Sequence, residues 1–249
     1  MTEITDLKQM TLEGIASNLA YKDKKLETVD RLVWENLRDA ANAVNRVFDF
    51  IPTSSMDDRH FHISLMLTNV ISDLASATYL ASCGFHKPAA AILRTIIEDI
   101  SVIVAIKEDE TIFKDFQSGD LNRPKMVTRA AKSFSELGVL YGVLTNYFTH
   151  EPIEAIGRAF QPLDKGVALL LVPPVGRNGF VPHFTLISKV SMISHTAAEI
   201  AEWCFADSLK DMCYWTKVDE TTLKGKPNST KENVIAISKI LESVTPIKN

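Results

Sequence analysis

Cysteine is scarce. Cys83, Cys204 and Cys213 are the only three in 249 residues, and no C-x-x-C pair occurs. An odd number without pairing excludes a disulfide frame and a zinc ribbon, and it predicts a reducing, cytoplasmic setting. Positive charge is not in excess. The formal net charge is -4, so no general basic field holds nucleic acid by its phosphates. No G-x-G-x-x-G, no P-loop and no G-x-S-x-G elbow is present, so the common dinucleotide, triphosphate and hydrolase signatures are missing. A di-iron bundle needs two E-x-x-H motifs, and the chain has none. No cofactor and no metal is expected. The opening "MTEITDLKQM" is polar and acidic, which predicts no signal peptide. The longest apolar candidates, "ISVIVAI" and "VALLLV", fall well short of the roughly 20 residues a bilayer span needs, so no membrane partner is expected.

What is present is helical periodicity. Leu26, Val29, Val33, Leu37, Ala40, Val44 and Val47 step by three or four, and Pro52 closes that helix. Asp57 and its neighbours offer caps for a second long helix reaching Ser82, and Gly84 suits its C-terminal cap. "KPAAAILRTIIEDISVIVAI" follows, with Pro88 in its first turn. This helix is apolar nearly all round and should be central. A further helix is predicted from about Pro124 to His150, ended by Pro152. Residues 161–182 hold four prolines and three glycines and read as a long loop, with a short hairpin around "VALLLV". The last long helix spans roughly His183 to Tyr214. A polar linker and a short terminal helix fill 216–249, leaving 1–215 as one domain. Five or six long helices imply an all-α bundle.

Two places carry candidate chemistry. "RNGFVPH", Arg177 to His183, has the outline of a helical ribonuclease motif, in which arginine and histidine converge on a 2′-hydroxyl and a scissile phosphate. Gly179 and Pro182 interrupt it, so Arg177 reads as a loop residue and His183 as the start of a helix. The stronger set lies on the central helix. In "ILRTIIED", Arg94 and Glu98 are four apart and share a face. Charges on so apolar a helix need partners, because desolvation costs about several kcal/mol per ion. A structural ion pair that sets bundle register is one reading, and removing one member of it would cost about 3–5 kcal/mol. A polar pocket is the other. Its partners are expected on "LGVLYGVLTNYFTH". There Gly138 and Gly142 open a face for close approach, Tyr141 and Thr145 share a neighbouring face, and His150 ends the helix, where the helix dipole favours imidazolium.

"AAAILRTIIED" followed about fifty residues later by "YGVLTNYFTH" resembles a set of bacterial all-helical proteins. Their pattern is L-R-x-x-x-E on one helix and Y-x-x-L-S-x-x-x-x-H on a later one. They are similar to the HEPN superfamily, which includes RNA-cutting toxins and phage-defence effectors. The resemblance covers roughly residues 65–155, and its matching positions are Arg94, Glu98, Tyr141, Thr145 and His150. Thr145 stands where serine is usual and keeps the hydroxyl. Glu151 separates His150 from Pro152. The resemblance implies a metal-independent ribonuclease-like effector in stress or phage defence. In it Arg94 binds phosphate, His150 is the acid/base, and Glu98 and Tyr141 orient them. RNA or a nucleotide is the implied ligand, and such domains commonly pair. The alternative is a non-catalytic helical module that binds a partner or small ligand around a structural Arg–Glu–His cluster.

Three smaller expectations complete the reading. His195 and Glu199 share a face, but no second pair joins them as metal ligands. Arg123, Lys125, Arg129 and Lys132 make a basic strip that is either a solvated face or a track for an RNA backbone. Ile187, Val190, Ile193, Ala197, Ile200 and Trp203 form an apolar stripe longer than a small bundle needs, which predicts a homodimer.

Overall fold

The structure, a computed structural model, describes residues 7–21, 23–146, 160–163, 166–169, 180–209, 217–219, 222–223 and 228–244. It is an all-α helical bundle. Its helices are α1 (Leu7–Ala20), α2 (Lys24–Phe50), α3 (Asp58–Ser82), α4 (His86–Glu108), α5 (Glu110–Ser118), α6 (Arg123–Ala130), α7 (Ser135–Leu144), α8 (Phe180–Cys204), α9 (Ala206–Leu209) and α10 (Asn228–Val244). Two short antiparallel hairpins accompany them. One pairs Phe160–Leu163 with Gly166–Leu169, where the sequence suggested it, and the other pairs Lys217–Asp219 with Thr222–Leu223.

Local chemistry sets several of the boundaries. Asp23 and Asp57 cap α2 and α3 by accepting backbone N–H groups of the first turn. At the end of α3, Gly84 takes φ 94°, and the Phe85 N–H bonds the Leu80 carbonyl at 2.9 Å. This is a Schellman-type stop that a side chain at Gly84 would strain. Pro182 sits in the first turn of α8, where its missing N–H costs nothing.

Helix α4 is central: it packs on α3, α5, α6, α7 and α8. Leu93, Ile96, Ile97, Ile100, Ile103 and Ile106 are fully buried along it. Helix α3 is long and apolar enough to cross a membrane by length and composition, which runs of consecutive apolar residues did not reveal. Its apolar face is occupied within the chain, with Ile63, Leu67, Val70 and Leu74 in the common core. The apolar stripe of α8 is likewise spent inside the bundle. Ile187, Val190, Ile193, Ala197 and Ile200 are fully buried, and Trp203 packs edge-on against Phe134 at 5.5 Å. All of the stripe but the half-buried Trp203 is therefore covered within the chain.

Three expectations about helices change. α1 and α5 were not foreseen. The helix predicted from Pro124 to His150 is two helices with a turn at residues 131–134. Nothing in "AAKSF" breaks a helix locally. The turn is held by tertiary partners: the Ser133 hydroxyl bonds Glu108, and Phe134 reaches Trp203. Gly138 then allows the close approach expected of it, but to this turn, since a Cβ there would lie 3.2 Å from the Ala131 Cβ. Gly142 meets nothing within 4 Å and plays no such part.

The terminal helix packs back onto α2 and α8, and Ile237 joins the common core. Its Asn233 amide donates to Asn36 Oδ1 at 2.9 Å, and the Asn36 amide in turn bonds the buried Ser191 hydroxyl. A second polar tie crosses the same seam, where Arg46 of α2 pairs with the fully buried Glu202 of α8. Cys204 of α8 is fully buried in the common core, its thiol pushed up to about 12 by burial, against which the charge of Lys107 acts.

Candidate functional site

Arg94 and Glu98 lie one turn apart on α4, and α7 runs antiparallel beside them. The pairing of Ser133 with Glu108 at one end and of Tyr141 with Glu98 further along establishes that direction. Tyr141 is the link. Arg94 Nη2 donates to the Tyr141 hydroxyl at 2.8 Å, and that hydroxyl donates to Glu98 Oε1 at 2.9 Å. Arg94 Nε lies 3.5 Å from the same carboxylate oxygen, and the guanidinium carbon sits 5.1 Å from the Tyr141 ring centroid. One phenol thus accepts from the cation, donates to the anion and offers its face to the guanidinium.

The three side chains are brought together as the sequence pattern requires. They are less buried than the apolar helix suggested: the Arg94 side chain is 35% exposed and that of Glu98 15%. This is a site on the flank of the bundle, not an ion pair in its centre. Water screens it, so the cost of breaking it is well below that of a sealed pair. Arg94→Met or Glu98→Gln is expected to lower stability by about 1 kcal/mol, which is about 2–4 °C in a chain of this size. A loss of more than about 3 kcal/mol in thermal denaturation would return the pair to the core.

Thr145 follows one turn after Tyr141, as the C-terminal cap of α7. His150 lies outside the described residues, as does Arg177.

Beside the triad, Asp99 pairs with Arg123. Burial is the strongest influence on the Asp99 carboxyl and raises its pKa; the carboxylates of Asp73 and Glu98 push the same way, while Arg123 opposes them. Arg129 reaches Asp109 at 3.0 Å and Glu108 at 3.8 Å. Two of the four members of the expected basic strip are therefore neutralised by carboxylates from α4 and its C-terminal cap. Lys125 and Lys132 remain exposed, with no ion pair among the described residues.

His183 lies in the first turn of α8, as the sequence predicted. It is buried there, with Nδ1 3.1 Å from the Ala81 carbonyl and Nε2 3.9 Å from Asp30 Oδ1. Its ring lies 5.5 Å from that of His86. It faces a cleft of about 100 Å³ that Asn18, Tyr21, Glu27, Asp30 and Ser82 also line. The prolines and glycines before it located the helix start but carried no signal of what the imidazole would meet. Among the described residues no three His, Cys, Asp or Glu side chains gather to hold a metal ion, and His195 with Glu199 is no exception.

Compared with family models, with curated proteins and with solved structures, the chain matches none.

Proposed function

We propose that the chain is a HEPN-like helical effector that acts on a phosphate-bearing ligand, RNA above all, at the flank where α4 meets α7. The observation that carries this reading is the Tyr141 bridge. A guanidinium tied on one side to a phenol and a carboxylate, and a third exposed, is aimed and held at the surface. Fixed donors of that kind stabilise charge on a phosphoryl oxygen without reorganising during the reaction. In this reading Arg94 binds the phosphate, while Glu98 and Tyr141 position it. His150 accepts the proton of the attacking 2′-hydroxyl and returns one to the departing 5′-oxygen, so the phosphodiester breaks without a metal. Pairing of two chains belongs to the same reading.

A second reading has its own observation. Glu98 already offsets much of the Arg94 charge, and Arg123 and Arg129 are spent on carboxylates, which suits a module that binds without cutting. One experiment separates the two. Purified wild type, Arg94→Ala and His150→Ala are incubated with total RNA, and the same three are expressed in cells to score growth. Cleavage that falls by about 10²–10⁴-fold in His150→Ala supports the effector. RNA bound by wild type and by His150→Ala alike, and cut by neither, supports the binding module. RNA neither bound nor cut by wild type ends both RNA readings.

A further inference from the structure

Lys189 sits half-buried on α8, and its amine has an unusual surrounding. Its recorded contact is the Met192 sulfur at 4.0 Å, and among the described residues no carboxylate lies within ion-pair distance. Burial alone lowers its pKa from the ordinary lysine value, with no charged neighbour contributing. Three half-buried arginines described above are matched: Arg46 by Glu202, Arg94 by Glu98, Arg129 by Asp109. A cation taken from water without a counter-charge costs stability, and an arriving anion removes that cost.

The register of the helices locates this amine. The His86 and His183 rings lie 5.5 Å apart near the starts of α4 and α8. Past the far end of α8, Phe205 lies against His60 near the start of α3, which packs on α4 and joins it by a short turn, so α3 and α4 are antiparallel. α8 therefore runs parallel to α4, and the two histidines set an offset of 97. Position 189 is then level with position 92, about 3 Å along the axis from Arg94. Helix α7 is antiparallel to both. Its Phe134 end touches Trp203, its Tyr141 meets Glu98 and Arg94, and its last turn at Thr145 falls at the same level as Lys189. The angular position agrees as well. Lys189 and Met192 precede Trp203 by close to four and three turns, which puts them within about 40° of the direction in which Trp203 meets the start of α7. Arg94 thus flanks the end of α7 from α4, and Lys189 flanks it from α8.

We infer that Lys189 is the second cation of the α4–α7 site, set by α8 so that one phosphate-bearing ligand is held at the end of α7 between Arg94 and Lys189. The inference rests on the phosphate-binding reading and extends it to a residue outside the motif that suggested it. It also accounts for a lysine placed where the bundle gives it no carboxylate. Arg94, compensated by Glu98, aims at the ligand; Lys189 adds the uncompensated charge that attracts it.

The test uses the full chain and two probes. The first is pyridoxal 5′-phosphate in less than molar equivalence at neutral pH. The free amine adds to the probe's aldehyde, water leaves to give the imine, and borohydride delivers hydride to the imine carbon, fixing the label for peptide mapping. The second is a fluorescein-labelled single-stranded RNA of about ten nucleotides, within the usual span of one site. Lys189 is expected to take more label than exposed Lys125 or Lys132. Adenosine monophosphate in excess, and separately Arg94→Met, should each cut that label several-fold. Lys189→Met should weaken RNA binding about tenfold or more, and Lys189→Arg should restore most of it, because charge and not shape is what the site uses. Circular dichroism of Lys189→Met at wild-type strength verifies that the variant is folded.

Three results overturn the inference. One is Lys189 labelled no faster than the exposed lysines. Another is labelling indifferent to both the nucleotide and Arg94→Met. The third is RNA bound equally by wild type and Lys189→Met while Arg94→Met is defective, in which case the effector reading stands and only Lys189 falls. Label protected by the nucleotide and dependent on Arg94, in a protein that neither binds nor cuts RNA, has the opposite meaning. The two-cation site stands, and RNA as its ligand falls.

Discussion

Arg46→Met is expected to remove about 3–5 kcal/mol of folding stability, the largest loss of any single polar change discussed for this chain. Glu202 on α8 has no exposed surface, and Arg46 reaches it from α2 with a side chain 21% exposed. Taking the guanidinium away removes a charged partner from a fully buried carboxylate, which must then stay charged with less compensation, take up a proton or admit water, and each choice costs free energy. In a chain of this length the loss is about 6–20 °C in melting temperature. The double change Arg46→Met with Glu202→Leu should recover much of it, since two apolar side chains of similar volume satisfy the seam as well as the ion pair does. Urea denaturation of the two singles and the double, at one pH near neutrality, decides it. If Arg46→Met costs less than about 1 kcal/mol, water reaches Glu202 and the α2–α8 seam is not sealed.

A second large effect is expected one residue from the candidate site. Leu93 is fully buried on α4, and truncating it to alanine should cost about 2–5 kcal/mol through lost apolar transfer and the cavity left behind. Its neighbour Arg94 points to the flank, where replacement costs about 1 kcal/mol. The pair makes a sharp contrast between packing and chemistry. Leu93→Ala should unfold at lower urea with an unchanged slope, and while folded should keep its affinity for any ligand of the flank. Arg94→Met should keep its urea midpoint nearly in place and lose that affinity. Equal losses of stability in both variants would mean that α4 is not oriented as described.

The two residues also mark how far each kind of information reached. Helical spacing places Arg94 and Glu98 on one face of α4, but the apolar circumference of "AAAILRTIIEDISVIVAI" suggested a more buried pair than the one that lies on the flank. By the same local rules, α2 is recognisable from its apolar steps, α3 from Asp57 at its start and Gly84 at its end, and α4 as the central helix from its apolar circumference. Periodicity, caps and glycine conformations are properties of a few adjacent residues, so one dimension is enough to read them. α1 escaped because its apolar residues do not line up on one face strongly enough to announce a helix.

Tertiary structure decided what no neighbouring residue encodes. The turn at 131–134 exists because Ser133 and Phe134 find Glu108 and Trp203, against a local sequence that favours continuing the helix. Tyr141 is the hydrogen-bond bridge between Arg94 and Glu98 because α7 returns antiparallel along α4 at one particular level. His183 faces Asp30 and the Ala81 carbonyl, and the stripe of α8 is consumed inside the chain, for the same kind of reason. Each outcome depends on which helix lies across from which, at what offset and in what direction. Those quantities arise from packing whole apolar faces against each other. A buried stripe specifies that it will be covered, and only the assembled bundle specifies by what.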